Sequence, residues 1–162
     1  MAFNFFTSDY AIKIHDKIIE ISGGWAGIKN FGNIESPLTH IQNDDYYPTF
    51  EAKLTHLIFS FNKFHAFNDG NKRTSIAMGA FFLEVNGLDF LIDKFIIEME
   101  NIAVTVADNI IEKELLQEII TSLINEEDYN EGLKLKIINS LEQVNSDKEQ
   151  INLGSEFYRD LY

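Results

Sequence analysis

The 162-residue chain contains no cysteine, which excludes disulfides and thiolate metal sites and fits a reducing compartment. Only two prolines and nine glycines interrupt it, so long helices are easier to build here than many short strands. Basic residues are scarce: 13 Lys and Arg stand against 26 Asp and Glu, a formal net charge of −13. Such a surface repels a phosphate backbone and disfavours direct nucleic-acid binding; its simplest consequence is solubility. Nowhere do ~18 consecutive apolar residues occur, so no helix is expected to span a membrane. The opening Met1-Ala-Phe-Asn-Phe-Phe-Thr-Ser-Asp has no basic stretch and no sustained apolar run, and does not read as a signal peptide. These absences together read as a cytoplasmic protein.

What is present is an ordinary globular composition, 45% hydrophobic and 24% charged, at a length that suits one domain with a sizeable core. Residues 9–21 have helical spacing, with Ser8 or Asp9 as cap, Ile14, Ile18 and Ile21 on one face, and Gly23-Gly24 as stop. From Gly24 to Pro48 the period is lost, which predicts a long loop containing at most a hairpin or a short helical piece. Helical spacing resumes over 49–64, where Leu54, Leu57, Ile58, Phe61 and Phe64 share a face. The stretch 72–86 is apolar or small on nearly every side and is expected to be the buried central helix. Further helices are expected near 93–108, 111–125 and 133–144, the last within a more polar tail. With period-two alternation nearly absent, the fold class is all-α.

Between the two most apolar helices lies His65-Ala66-Phe67-Asn68-Asp69-Gly70-Asn71-Lys72-Arg73. A polar loop that ends at the start of a buried helix makes an anion site, because free backbone N–H groups and the positive helix end face one point. Gly70 permits close approach or a positive φ. Lys72 and Arg73 oppose the helix dipole, a placement that makes sense if an anion sits between them. Asp69 beside that anion requires a bridging divalent cation, so the set reads as phosphate with Mg²⁺. Imidazole is the one side chain of the segment that exchanges protons near neutrality, which makes His65 the candidate general base. Phe67, between polar neighbours, is the expected loop anchor.

This string resembles the Fic/Doc signature, His-x-Phe-x-(Asp/Glu)-(Gly/Ala)-Asn-(Gly/Lys)-Arg, at every defined position. The likeness extends over roughly residues 9–125, including Ile14-His15-Asp16, Gly23-Gly24, the helix before the motif, and Thr74-Ser-Ile-Ala running to Val85-Asn-Gly. Ala66 after the histidine, Lys72 after the asparagine and Ile76 in place of a second arginine are similar to the Doc (death-on-curing) branch. The resemblance implies a Fic/Doc-like helical bundle around the central helix, with the loop from about Trp25 to Tyr47 as a flap over the target segment. It implies transfer of the γ-phosphate of ATP, with Mg²⁺, to a hydroxyl of translation elongation factor Tu, arresting translation. Carried over by residue, His65 is the base, Asp69 holds Mg²⁺, and Asn68, Gly70, Asn71, Lys72 and Arg73 bind nucleotide or phosphate. AMP transfer from the same site is the alternative, and a non-catalytic, antitoxin-binding module is a second.

The remaining candidates carry less. His15, His40 and His56 lack mutual metal-site spacing; His15 and His56 read as surface or core-edge residues, and Trp25 as a packing anchor. Glu112, Glu114, Glu118, Glu126 and Glu127 read as solvated helix faces. The (Ser/Thr)-x-x-x-Glu-(Gly/Asn) helix that restrains many Fic proteins is not found, and the resemblance implies instead an antitoxin of the Phd kind acting in trans. The chain is therefore divided into a catalytic domain, 1–125, and a polar helical extension, 126–162, read mainly as embellishment.

Overall fold

In the computed structural model, residues 2–143 and 152–162 are described. They form eight α-helices: α1 Ser8–Ser22, α2 Gly32–His40, α3 Phe50–Lys63, α4 Asn71–Val85, α5 Ile92–Ala107, α6 Lys113–Ile124, α7 Glu131–Glu142 and α8 Gly154–Arg159. A 3₁₀ turn, Asp89–Leu91, leads into α5, and no strand occurs among the described residues. The fold is all-α, as expected. The end of the expected helix at Val144 lies outside the described residues.

The central element is α4. Ile76, Ala77, Met78, Ala80, Phe82 and Leu83 are all fully buried, so this helix is surrounded by α3, α5 and α1. Gly79 makes the closest approach: a Cβ there would stand 2.5 Å from Phe95 and 3.1 Å from Ile58, so α5 and α3 rest directly on the α4 backbone. At its far end, Asn86 and Asn4 clasp each other: Asn4 N–H donates to Asn86 Oδ1 (2.8 Å), and Asn86 Nδ2 donates back to Asn4 O (3.1 Å). Phe5 stacks on Phe82, and Phe6 meets Phe81 edge-on, so the chain's first segment is tied to the central helix.

Three local expectations are corrected. The cap of α1 is Thr7, whose hydroxyl accepts from Tyr10 N–H, one residue ahead of Ser8. Ile21 and Phe64, placed on buried faces by spacing, are exposed because each lies at the last turn, where the helix runs past its neighbours. His56 is buried, and so is His15.

Residues 24–48 are not a plain loop. α2 forms inside them and buries Ile34 and Leu38, while Ile41 follows into the core. After it, the fully buried Lys53 donates to Ile41 O and to Asp44 Oδ1, both at 2.7 Å, pinning this turn to α3. The same turn is held by His56, whose Nδ1 lies 2.8 Å from Lys113 Nζ and 3.0 Å from Tyr47 OH, with His40 Nδ1 at 3.3 Å from its Nε2.

That network predicts a pH dependence. Burial first, then the charge of Lys113 and then His40, push His56 down to about 3, against an ordinary 6.5. The unfolded chain takes up a proton near 6.5 and the folded chain does not, so stability falls as pH drops from about 6.5 towards 3. At pH 5 this group alone costs roughly 2 kcal/mol. Denaturant melts of wild type and His56→Gln check this: the variant's stability is expected to vary less between pH 7 and 5.

Candidate active site

The motif loop begins where α3 ends. Phe64 closes the helix and His65 follows with φ +49°, the left-handed conformation that usually marks the residue after a helix cap and is strained for a side chain with a Cβ. His65 is exposed on the cleft side, whereas Ala66 and Phe67 drop into the core. Phe67 lies face to face on the buried His15 ring, centroids 3.7 Å apart and 4° between planes, and so anchors the loop as expected.

Two side chains close the loop into α4. Phe67 N–H donates to Asn71 Oδ1 and Asn71 Nδ2 donates to Phe67 O, both at 3.0 Å. Gly70, at φ +78°, turns the chain into the helix, and Asp69 Oδ1 accepts from its N–H (2.7 Å). The first intrahelical bond is Thr74 N–H to Gly70 O, so the N–H groups of Asn71, Lys72 and Arg73 have no backbone acceptor among the described residues. These three donors, at the positive end of a buried helix, are an anion nest.

The charged side chains divide the work. Arg73 turns back to α1, donating from Nη1 to Ser22 Oγ (2.5 Å) and Gly23 O (2.7 Å), with Nη2 3.8 Å from Asp69 Oδ1. The Lys72 ammonium has no hydrogen bond or ion pair among the described residues; burial lowers its pKa, Glu100 partly offsets this, and Arg73 lowers it further. Lys72 is thus the cation left available for a ligand. Asp69 Oδ2 accepts from Trp25 N–H (3.0 Å), and its carboxylate is 38% exposed.

The stretch after α1 is laced onto the motif. Ile28 and Phe67 form an antiparallel bridge; Lys29 N–H (2.8 Å) and Asn30 N–H (3.0 Å) donate to Ala66 O, and Asn68 N–H donates to Gly27 O (3.0 Å). Trp25, expected to be a packing anchor, is instead 79% exposed, because its backbone and not its indole makes the attachment.

The result is a cleft of about 690 Å³, within the range of small-ligand sites. Its lining includes every sequence-derived candidate: His65, Asn68, Asp69, Gly70, Asn71, Lys72 and Arg73. Their side chains are not equally free. The Asn71 amide is engaged at both ends in clipping Phe67, and the Asn68 amide donates to Ala26 O (3.1 Å). Three contributors were not foreseen. His15 Nε2 bonds Asp69 O at 2.7 Å, so it carries the proton; the Ile14-His15-Asp16 string was its sequence signal. Leu153 of the tail and the buried Asn62 also line the cleft, and no sequence pattern marked either. Tyr158 and Leu161, further along the tail, are buried, so it is no mere embellishment.

Both the helical fold and this nest between two buried helices define the class. Residues 5–83, just under half of the chain, match the model of the Fic/DOC family. Over 81 residues, 48% of this chain, the sequence is 32% identical to the protein kinase doc of Escherichia phage P1, and the alignment covers 64% of that protein's length. The chain therefore spans a little under two thirds of that relative.

The anchoring stack has a measurable signature. Phe67→Ala should cost about 3–5 kcal/mol in a denaturant melt. In a double-mutant cycle with His15→Ala, the coupling energy should come to about 0.5–1.5 kcal/mol; additive losses would mean that the rings do not support each other.

Proposed function

We propose that the chain is a toxin-type transferase that moves the γ-phosphate of ATP to a hydroxyl of a target protein. The observation that carries this reading is the pairing of an unpartnered Lys72 with three free N–H donors at the start of α4, all facing the cleft that holds His65. Phosphoryl transfer asks for positioning and charge stabilisation, and these groups supply both. The relative's name, protein kinase, supports the same reaction.

In this reading His65 takes the proton of the acceptor hydroxyl. The hydroxyl oxygen bonds to the γ-phosphorus as the bond to the β–γ bridging oxygen breaks, and ADP leaves. Lys72 and the N–H groups of residues 71–73 hold the phosphate oxygens. Asp69 suits Mg²⁺ as one carboxylate with lone pairs to spare. No group of three or more acidic or histidine side chains is arranged as a metal cage among the described residues, so the other ligands would be phosphate oxygens and water. Bound there, Mg²⁺ neutralises developing phosphate charge. Arg73 acts by fixing the α1 end of the cleft and standing near Asp69. Elongation factor Tu is the acceptor the resemblance points to, and a Phd-like antitoxin the partner in trans. No helix among the described residues is long and apolar enough to cross a membrane.

Label transfer in a bacterial lysate, run in parallel with γ- and α-labelled ATP, tests the reading. Label from the γ position only, lost in His65→Ala, is expected; label from the α position would mean AMP transfer instead. Near-wild-type labelling by His65→Ala would remove that residue as the base.

A further inference from the structure

The cleft has two unlike walls on either side of the α4 start. The α1 side, Ser22 to Gly24, is bound to Arg73 and Asp69 and is polar. The other side is built on α5. Asn62 Nδ2 donates to Ala103 O (2.9 Å), one turn before Ala107 at the helix end. Leu153 is brought to this wall by Glu100, whose Oε1 accepts from Leu153 N–H (2.6 Å) and Gly154 N–H (3.0 Å). Glu100 is buried on α5 and also exerts its charge on Lys72. The segment after Leu153 is held firmly, with Tyr158 and Leu161 buried and Lys17 Nζ donating to Leu161 O.

Among the described residues, the α5 wall therefore presents a methyl group, an isobutyl group and one amide to the cleft, with the Glu100 carboxylate buried behind them. The Asn62 amide is itself buried, 2% exposed, bonded through Nδ2 to α5 and with Oδ1 without a hydrogen-bond partner. A mostly apolar surface without an exposed charge suits a flat neutral group, and does not suit more phosphate.

Resting on the nucleotide reading above, we infer that the C-terminal segment is part of the active site: Leu153, with Ala107 and Asn62, forms the subsite for the nucleoside half of the nucleotide. Leu153 determines the preference for a nucleotide over a bare polyphosphate. Glu100 is a positioning residue that holds Leu153 in place.

The test compares binding of ATP with binding of inorganic tripolyphosphate, both with Mg²⁺, by calorimetry on the full chain. Wild type should bind ATP the more tightly. Leu153→Ser should weaken ATP by about tenfold and leave tripolyphosphate unchanged. Ala107→Tyr, at an exposed position that tolerates bulk, should block ATP in the same selective way. Glu100→Ala should lose the preference and Glu100→Gln, which can still accept both N–H bonds, should keep it. Unchanged ATP affinity in Leu153→Ser and Ala107→Tyr, or equal losses for both ligands, would overturn the subsite. Wild type binding tripolyphosphate as tightly as ATP would overturn the subsite and leave the phosphate nest standing. Binding of neither ligand would sink the nucleotide reading and the inference with it.

Discussion

A side-chain amide bonded at both ends to the backbone of one residue holds the motif in register. Asn71 accepts from Phe67 N–H and donates to Phe67 O, in a site with almost no access to water. Breaking this pair leaves two backbone groups and an amide buried without partners, each a loss of about 1–3 kcal/mol. Because Asn71 is also the first residue of α4, the clip fixes the loop relative to the helix whose N–H groups form the nest. Phe67 then transmits the constraint to α1 through its stack on His15, and Ala66 transmits it to residues 29 and 30 through its carbonyl. Removing the clip would disconnect the base from the anion site before any ligand arrived.

The second organising feature is a division between two adjacent cations. Lys72 and Arg73 look alike in sequence, yet Arg73 is spent on the carbonyl and hydroxyl at the end of α1, while Lys72 is left half-buried with only Glu100 to moderate it. A guanidinium suits the first task, since its fixed fork can bond two acceptors and still face Asp69. In a chain of net charge −13, the local field that attracts an anionic ligand rests on this lysine and the helix end.

The helices were legible because their apolar period is regular, and α4 stood out as apolar all round. α2 was obscured by its nine-residue length and by Pro37 inside it. The motif announced the cleft, but not how its members share duties. Asn68 and Arg73 are occupied by carbonyls 42 and 50 residues away, and backbone acceptors leave no trace in side-chain spacing. His15 was misjudged for the same reason, its partner being the carbonyl of Asp69. Lys53 shows the converse: a lysine on a helix reads as solvated until a loop carbonyl and an acidic side chain close over it. The tail was misread because polar composition hid the few residues, Tyr158 and Leu161, that bury.

The placement of Leu153 has a consequence for the order in which the protein is made. It follows Arg73 by eighty residues, yet borders the same cleft. On a ribosome, α1, the laced stretch and the motif loop emerge together and can fold around α4, whereas Leu153, which completes the opposite wall, is translated much later. A nascent chain thus carries its base and phosphate nest long before the cleft has both sides, and maturation of the site is a property of synthesis as much as of sequence.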